Sequence, residues 1–518
     1  MLPLYRPEQV RAMDARAFAR GVGEDVLMER AAGHLARAIT GLAGRGYGLR
    51  VGILCGKGNN GGDGLAAARR LADAGASSRV CVVDGADALV GLPATQRDRW
   101  RARGGRLEPD AATALDGADV VVDCLLGTGV HGPPREPHAS AVRALDDAAR
   151  RGAATVACDV PTGVDAATGG VEEPAVSADL TVTLGGEKAG LRMWPARGRC
   201  GRIVLGDIGV DDGEEQPAAH LLSDADAAAL LPPPPDGTHK HRRGVVVILA
   251  GSDDMRGAAV LAARGALAGG AGLVTVATSP AARETVAAAV PEALTVAVPA
   301  DLAGARAVLE RVLARADALA IGPGLGLAEA TAALVRGLVA EVPQRIVLDA
   351  DGLNAHAGDP EAIGDHATDD LVLTPHAGEY ARLLGSGAWS DRLAGAPEAA
   401  ARWRATIVAK GPGTLVAAPS GRRWVNDSGA GALATGGTGD VLTGLLAATL
   451  AAEDDPAALA AAVHAHGRAG EIAAARGDPR AVTAGAVADA VPAALATLRV
   501  AASRPATVDR TRGRGDVR

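Results

Sequence analysis

Residues 434–444 read Ala-Thr-Gly-Gly-Thr-Gly-Asp-Val-Leu-Thr-Gly. Gly436, Gly437, Thr438 and Gly439 lead into Asp440, and an apolar run begins at Val441 and Leu442. Glycines let successive N–H groups turn toward one point, and a following helix adds the positive end of its dipole there. Such a turn holds an anion, above all a phosphate. An aspartate beside it can take the proton of a hydroxyl that attacks that phosphate. A plain glycine turn before a surface helix has the same pattern, so the reading depends on what accompanies it.

At 518 residues the chain is too long for a single core. Hydrophobic residues make up 48% and aromatic residues only 2%, so the cores are expected to be built from Ala, Val and Leu. A net charge of −8 gives no basic footprint for nucleic acid. Cys55, Cys81, Cys124, Cys158 and Cys200 are odd in number, unpaired in spacing and mostly inside apolar runs. They read as reduced packing residues of a cytoplasmic protein rather than a disulfide framework or metal site. The N-terminus lacks an apolar leader, and no run reaches the ~18 apolar residues of a membrane span, so no membrane partner is expected.

Residues 232–235 are four consecutive prolines, a stiff spacer that neither a helix nor a central strand tolerates. They predict a first domain over 1–220, a linker over 221–235 and a second domain over 236–502. The Arg/Gly/Asp-rich stretch 503–518 is expected to be a disordered tail. Both halves alternate short β-branched runs with Ala/Leu-rich helical stretches. Strands are expected at 51–55, 80–83, 120–124, 155–159, 180–184 and 203–205, then at 245–250, 273–277, 318–321, 346–349, 371–374 and 406–409. Continuous apolar strands between helices predict parallel α/β sheets covered on both faces, with ligands at the strands' carboxyl ends.

The motifs fall at those ends. After 51–55 comes Gly56-Lys57-Gly58-Asn59-Asn60-Gly61-Gly62-Asp63-Gly64, followed by an expected helix over 65–74. Gly56, Gly58 and Gly61 satisfy the dinucleotide fingerprint, but Asn59, Asn60 and Asp63 offer polar side chains that a pyrophosphate turn does not need. Asp123 closes the third strand before Cys124-Leu125-Leu126-Gly127-Thr128-Gly129-Val130-His131-Gly132-Pro133, and Asp159-Val160-Pro161-Thr162-Gly163 follows the fourth. Oxygens of Asn60, Asp123 and Thr162 together suit a hard cation.

These loops, Asn-Asn-Gly-Gly-Asp-Gly, Val-Asp-x-Leu-Leu-Gly-Thr-Gly and Asp-Val-Pro-Thr-Gly, resemble the NAD(P)H-hydrate epimerase family. Downstream, Gly251-Ser252-Asp253-Asp254-Met255 with Gly257-Ala258-Ala259, Gly322-Pro323-Gly324-Leu325-Gly326, Thr374-Pro375-His376-Ala377-Gly378-Glu379 and the 436–440 turn resemble the ADP-dependent NAD(P)H-hydrate dehydratases. Roughly residues 5–500 are similar to the bacterial bifunctional repair family, in that order. Thr162 stands where Ser is expected and still supplies a hydroxyl; Arg30 replaces a more usual Asn.

The resemblance implies a Rossmann-like three-layer first domain and a ribokinase-like α/β second domain. The implied substrates are hydrated NADH and NADPH (NADHX and NADPHX), with ADP as co-substrate, K⁺ and Mg²⁺ as cofactors and a homo-oligomeric assembly. In the second half Asp440 would deprotonate the hydroxyl of the hydrated ring. Phosphorylation then makes that oxygen a leaving group, which the ring nitrogen's lone pair expels. Lys410, Gly411, Pro412, Gly413 and Thr414 would contact the nucleotide together with Ala430, Gly431, Gly436, Gly437, Thr438 and Gly439. Ala259, Gly324, His376, Gly378, Glu379 and Asp440 would meet the substrate. For His376 and Glu379 the alternative is a helix cap with a glutamate at the dipole.

In the first half, loss and return of hydroxide at one carbon interconverts the epimers without nucleotide. Asn59, Asn60, Gly61, Gly62 and Asp63, with Gly127, Thr128, Gly129, Val130, His131, Gly132 and Pro133, would surround the substrate. Asn60, Asp123 and Thr162 would hold K⁺. Asp159 is expected beside the ring, and Lys188 either assists proton transfer or is a solvated surface lysine. Two other readings stand beside this one: an NAD-linked dehydrogenase fused to a sugar or vitamin kinase, and a non-catalytic nucleotide-binding scaffold.

Overall fold

The computed structural model describes residues 1–503 apart from 130–131, 214, 369, 386–390 and 430. The chain divides into two compact units, Pro3–Ala219 and His220 onward, with Met1–Leu2 joining the second. Expected positions Val130, His131 and Ala430, and residues 504–518 of the expected tail, lie outside the described residues. The last helix runs to Ser503.

The first unit is one parallel sheet. Its strands lie in the order Ser77–Val82, Arg50–Cys55, Val120–Cys124, Ala154–Cys158, Leu180–Leu184 and Arg202–Gly206. In chain order this is 2-1-3-4-5-6, the flavodoxin-like winding rather than the 3-2-1-4-5-6 of dinucleotide domains. Two apolar clusters, one with Leu65 and Ile53, the other with Leu54 and Val121, cover opposite faces of the sheet, since alternate strand residues point to opposite sides. The topological switch lies between Arg50–Cys55 and Val120–Cys124, so the loops after these strands open a crevice there. All five cysteines are free and buried.

The second unit's parallel strands lie in the order Leu294–Ala297, Leu273–Thr278, Val245–Leu249, Ala318–Ile321, Arg345–Leu348, Leu371–Leu373 and Thr406–Ala409. Leu415–Ala417 and Arg423–Val425 extend the sheet antiparallel, and Ala219–Leu221 pairs parallel to the last of these. Here the switch falls between Val245–Leu249 and Ala318–Ile321. The two following loops meet there, Gly251 N donating to Pro323 O at 2.8 Å. Helix Thr438–Ala452 crosses helix Arg256–Ala268 at close range. A Cβ on Gly444 would lie 1.9 Å from Ala262 O and one on Gly265 2.1 Å from Val441 O, so both positions require glycine.

The linker expected over 221–235 is corrected. Ala219–Leu221 is a strand, and Ser223 caps helix Asp224–Leu230. Asp224 accepts from His464 Nε2 at 2.8 Å and pairs with Arg468, while Leu222, Ala227 and Ala228 enter the second core. The prolines lie after this helix, so they mark a turn inside the second unit rather than its start. Helix Asn59–Asp73 also begins six residues earlier than the expected 65. Glycines lower helix propensity, but here they allow the first turn to press on the sheet.

Among the described residues one helix, over 484–501, is long and apolar enough by composition to cross a membrane. It packs through Val487, Ala490, Val491, Ala494 and Leu498 in the second core.

Candidate active sites

At the switch point of the first sheet lies a cavity of about 530 Å³. Asn59, Asn60, Asp63, Gly127, Thr128, Gly129, Asp159 and Lys188 all line it, as do Asp14 and His138, which the motifs did not single out. Gly61 and Gly62 are buried in the helix's first turns and form no part of the lining; a Cβ on Gly61 would sit 1.9 Å from Gly56 O. Gly132 and Pro133 are exposed and also outside the lining.

Lys188 is 1% exposed, so the surface-lysine reading fails. Its ammonium pairs with Asp159 and donates to Leu184 O at 2.8 Å and Thr183 Oγ1 at 3.3 Å. Asp159 also accepts from Leu184 N at 3.0 Å, and its φ of 64° places a non-glycine residue in the left-handed region. Such strain persists where surrounding bonds over-determine it and is concentrated at functional sites. Burial, then the charges of Asp159 and Asp14, pushes the Asp63 carboxyl well above its ordinary range. His138 Nε2 is 3.2 Å from Asp84 Oδ2 but without hydrogen-bond geometry, while Asp84 accepts from Lys57 N at 3.0 Å.

The three expected cation ligands are brought together. Asp123, fully buried, accepts from Thr162 N at 2.7 Å, Thr162 Oγ1 at 2.8 Å and Leu125 N at 3.1 Å. Thr162 Oγ1 in turn accepts from Leu126 N, and Asn60 Nδ2 donates to Leu126 O at 3.0 Å. Asn60 Oδ1 is buried with no partner, an orphaned acceptor of the kind a cation satisfies. Burial, opposed by the bonds from Thr162 and Leu125, raises the Asp123 carboxyl to about 6.

In the second unit Asp440 occupies the first turn of helix Thr438–Ala452, whose N-cap, Gly437, has φ 91°. Burial, then the charge of Asp349, raises Asp440 to about 7, a value suited to a general base at neutral pH. Asp349 is the residue that the motifs missed. It directly follows the strand Arg345–Leu348 and is 1% exposed. Lys410 Nζ lies 2.6 Å from its Oδ1, Thr374 Oγ1 donates to Oδ1 at 2.6 Å, and Thr443 Oγ1 donates to Oδ2 at 2.6 Å. The available signal was an aspartate closing an apolar strand, the one that singled out Asp123.

Glu379 Oε2 is 3.6 Å from Lys410 Nζ and accepts from His376 N at 2.8 Å. His376 Nδ1 accepts from Gly378 N at 2.9 Å and Glu379 N at 3.3 Å, so the capping reading holds for both side chains. The outer edge of His376 and all of Gly378 stay exposed.

Lys410, Gly411, Pro412, Gly413 and Thr414 form the hairpin turn between Thr406–Ala409 and Leu415–Ala417, with Thr414 Oγ1 donating to Gly411 O and Arg392 to Pro412 O. Gly431 and Gly436 are exposed and Gly439 is half-buried. A Cβ on Gly439 would lie 3.7 Å from Lys410 Nζ. Thr438 is tied by its hydroxyl to Leu433 O and Thr435 O, and its carbonyl accepts from buried His466 Nε2 at 3.0 Å. Burial lowers His466 to about 4, so it is a neutral donor. Gly324, with φ 64°, lies beside Met255 and Ala258, whereas the Ala259 side chain is fully buried in the core against Gly251. Ala259 offers no side-chain surface to a ligand.

A buried lysine–aspartate pair and an elevated aspartate at a helix N-terminus, at the carboxyl ends of a 3-2-1-4-5-6-7 sheet, define a phosphoryl-handling α/β enzyme in the second unit; the first unit is an α/β domain with a polar crevice. Two family models and the curated relatives place the chain more closely. Residues 246–493 match the family model described as NAD(P)H-hydrate dehydratase, and residues 24–190 match that described as YjeF-related protein N-terminus. A bifunctional NAD(P)H-hydrate repair enzyme of Moorella thermoacetica is 38% identical over 91% of this chain and 92% of its own. One of Gloeobacter violaceus is 40% identical over 90% of this chain and 93% of its own. An ADP/ATP-dependent NAD(P)H-hydrate dehydratase of Bacillus subtilis, co-crystallised with ATP and Mg²⁺, aligns over 54% of this chain and 99% of its own at 31% identity and TM-score 0.47. The chain belongs to the bifunctional NAD(P)H-hydrate repair enzyme family.

Proposed function

We propose that the first unit interconverts the R and S hydrates of NADH and NADPH, and that the second dehydrates the S form at the expense of ADP, giving AMP and phosphate. The observation that carries this reading is Asp440, raised to about 7 at a glycine-led helix N-terminus beside the Lys410–Asp349 pair. The ionised Asp440 accepts the proton of the ring hydroxyl as that oxygen attacks the β-phosphorus of ADP. The N–H groups of Gly437, Thr438 and Gly439 receive the migrating phosphoryl group, and Lys410 meets its charge. The ring nitrogen's lone pair then expels phosphate, and loss of a proton from the adjacent C5, its electron pair closing the C5–C6 double bond as the nitrogen regains its own, restores the reduced nicotinamide. His376, through its exposed edge, Gly378 and Gly324 border the substrate, while Lys410–Thr414, Gly431 and Gly436 border the nucleotide.

Among the described residues no group of three or more His, Cys, Asp or Glu is placed to hold a metal. Mg²⁺ therefore fits as an ion carried on the nucleotide's phosphates rather than in a protein cage. In the first unit Asn60, Asp123 and Thr162 would hold K⁺, the orphaned Asn60 Oδ1 being the observation that supports it. The bound ion would supply positive charge beside the Asn59–Asp63 turn and the Gly127–Gly129 loop. Asp123→Ala is expected to abolish any potassium dependence of epimerisation, read as epimer ratio with and without K⁺; an unchanged dependence would leave Asp123 as a loop clasp only.

The division of labour is tested by supplying one purified hydrate epimer to the full chain. Without nucleotide the expected result is equilibration of the two epimers, and with ADP their conversion to reduced nicotinamide with release of AMP and phosphate. Hydride transfer from intact NADH, or no epimer interchange at all, would overturn it.

A further inference from the structure

Epimerisation needs more than the Asp159–Lys188 pair. Loss of the oxygen from the hydrated ring carbon is accelerated by a proton donor, which lets it leave as water rather than hydroxide, and return of water to the other face by a proton acceptor. Lys188 is already committed to Asp159, Leu184 O and Thr183 Oγ1.

We propose that Asp14, on helix Pro7–Ala19, is the acid of the epimerase reaction, working across the same cavity as Asp159. The inference rests on the epimerase reading above. Asp14 lines the cavity with Asp159, Lys188 and Asp63. Its Oδ1 is buried with no hydrogen-bond partner, on a helix that turns Val10, Met13 and Ala17 into the core. A carboxyl oxygen kept dry and unpaired costs stability unless a ligand uses it.

Burial favours the neutral form of Asp14, and the charged groups around it act in both directions. Burial is the largest cause of its raised pKa; Lys188 opposes, while Asp159 on the strand-end loop and Glu24 on the next helix add to it. Asp63, on the helix after the first strand, is coupled to Asp14 as well, and Arg11 lines the cavity from Asp14's own helix. Asp63 itself is only 9% exposed, whereas Asp14 is half-buried.

The step balances. The proton leaves the Asp14 carboxyl for the ring hydroxyl, and the C–O bond breaks with its electron pair departing on water. The ring nitrogen's lone pair forms the C=N bond. A water then adds to the opposite face, forming the new C–O bond as the C=N pair returns to the ring nitrogen, and gives its proton to the Asp159 carboxylate. The two carboxyls re-equilibrate their proton through the solvent of the open cavity.

The test uses the full chain, in which dehydration of the S hydrate reports an undisturbed second unit. Asp14→Asn is expected to slow epimerisation roughly 10²–10⁴-fold while hydrate affinity stays within about threefold and dehydration is unchanged. In the wild type the rate falls as pH rises through the acid's pKa, because the protonated form is the reactive one. That limb should vanish in Asp14→Asn and shift in Asp14→Glu. Epimerisation within about threefold of wild type in Asp14→Asn would overturn the proposal. So would a limb that survives in Asp14→Asn and disappears in Asp63→Asn. If Asp14→Asn loses hydrate binding, Asp14→Glu decides: a displaced limb supports the assignment, and an unmoved limb refutes it. A wild type that does not epimerise at all refutes the epimerase reading instead.

Discussion

Asp440→Asn is expected to lower dehydration roughly 10²–10⁴-fold, the range typical of losing a general base. The substitution keeps the side chain's shape and its place in the first helical turn, so nucleotide affinity should change little and epimerisation not at all. The wild-type pH profile should carry the same group. Burial and Asp349 raise Asp440 to about 7, and a base must be deprotonated, so the rate should climb with pH to about 7 and level off above it. Steady-state dehydration across pH checks both points. A folded Asp440→Asn protein with near-normal turnover, or a profile flat through neutrality, would contradict the assignment.

The second large effect concerns Lys410. Its ammonium lies 2.6 Å from an Asp349 oxygen, with side chains 17% and 2% exposed. Burial opposes both charges, but each partner overcomes it: Lys410 is raised above its ordinary 10.5 and Asp349 is held below 3.8. The Asp349 contribution is therefore complete above its unfolded pKa and is lost as pH falls through its lower folded value. The Lys410 contribution is complete below 10.5 and is lost as pH rises beyond its folded value. At neutral pH the pair is intact. Lys410→Met strands a buried carboxylate, at a cost of about 3–5 kcal/mol to the second unit. Calorimetry should show one unfolding transition displaced downward and the other unmoved. The double variant Lys410→Met/Asp349→Asn should recover part of the loss, because the stranded charge is gone. A single variant with unchanged melting would mean that the pair is worth nothing in the fold.

The sequence exposed the parts of this molecule that depend on local pattern. All twelve expected strands occur, because a continuous run such as 120–124 or 318–321 has few alternatives to a buried parallel strand. Leu415–Ala417 and Arg423–Val425 were not foreseen: at three residues each they carry no period, and only pairing, of the first to Thr406–Ala409 and of the second to the first, makes them strands. Proline punctuation misled at 221–235, since the apolar face of Asp224–Leu230 is visible only once helix Pro456–Ala474 is packed against it and His464 reaches Asp224. Among site residues, Asp440, Asp159 and Asn60 sit inside glycine-rich motifs and were legible there. Asp349 and Asp14 do not. One closes a strand without a glycine loop and the other lies in an ordinary amphipathic helix, so their roles emerge only from Lys410 and from the cavity wall. Ala259 is a motif residue whose small side chain packs against Gly251.

The central claim is that one chain carries both an epimerase and a dehydratase that accepts a single epimer. The most direct measurement is recovery of reduced-nicotinamide absorbance from a mixture of both hydrate epimers with ADP, comparing the wild type with Asp159→Asn. The wild type should recover all of the cofactor in one phase. The variant should recover the S fraction at the same rate and then stall, proceeding only as fast as spontaneous epimerisation. Full recovery by Asp159→Asn at the wild-type rate, or a wild type that itself stalls after one epimer, would contradict the account.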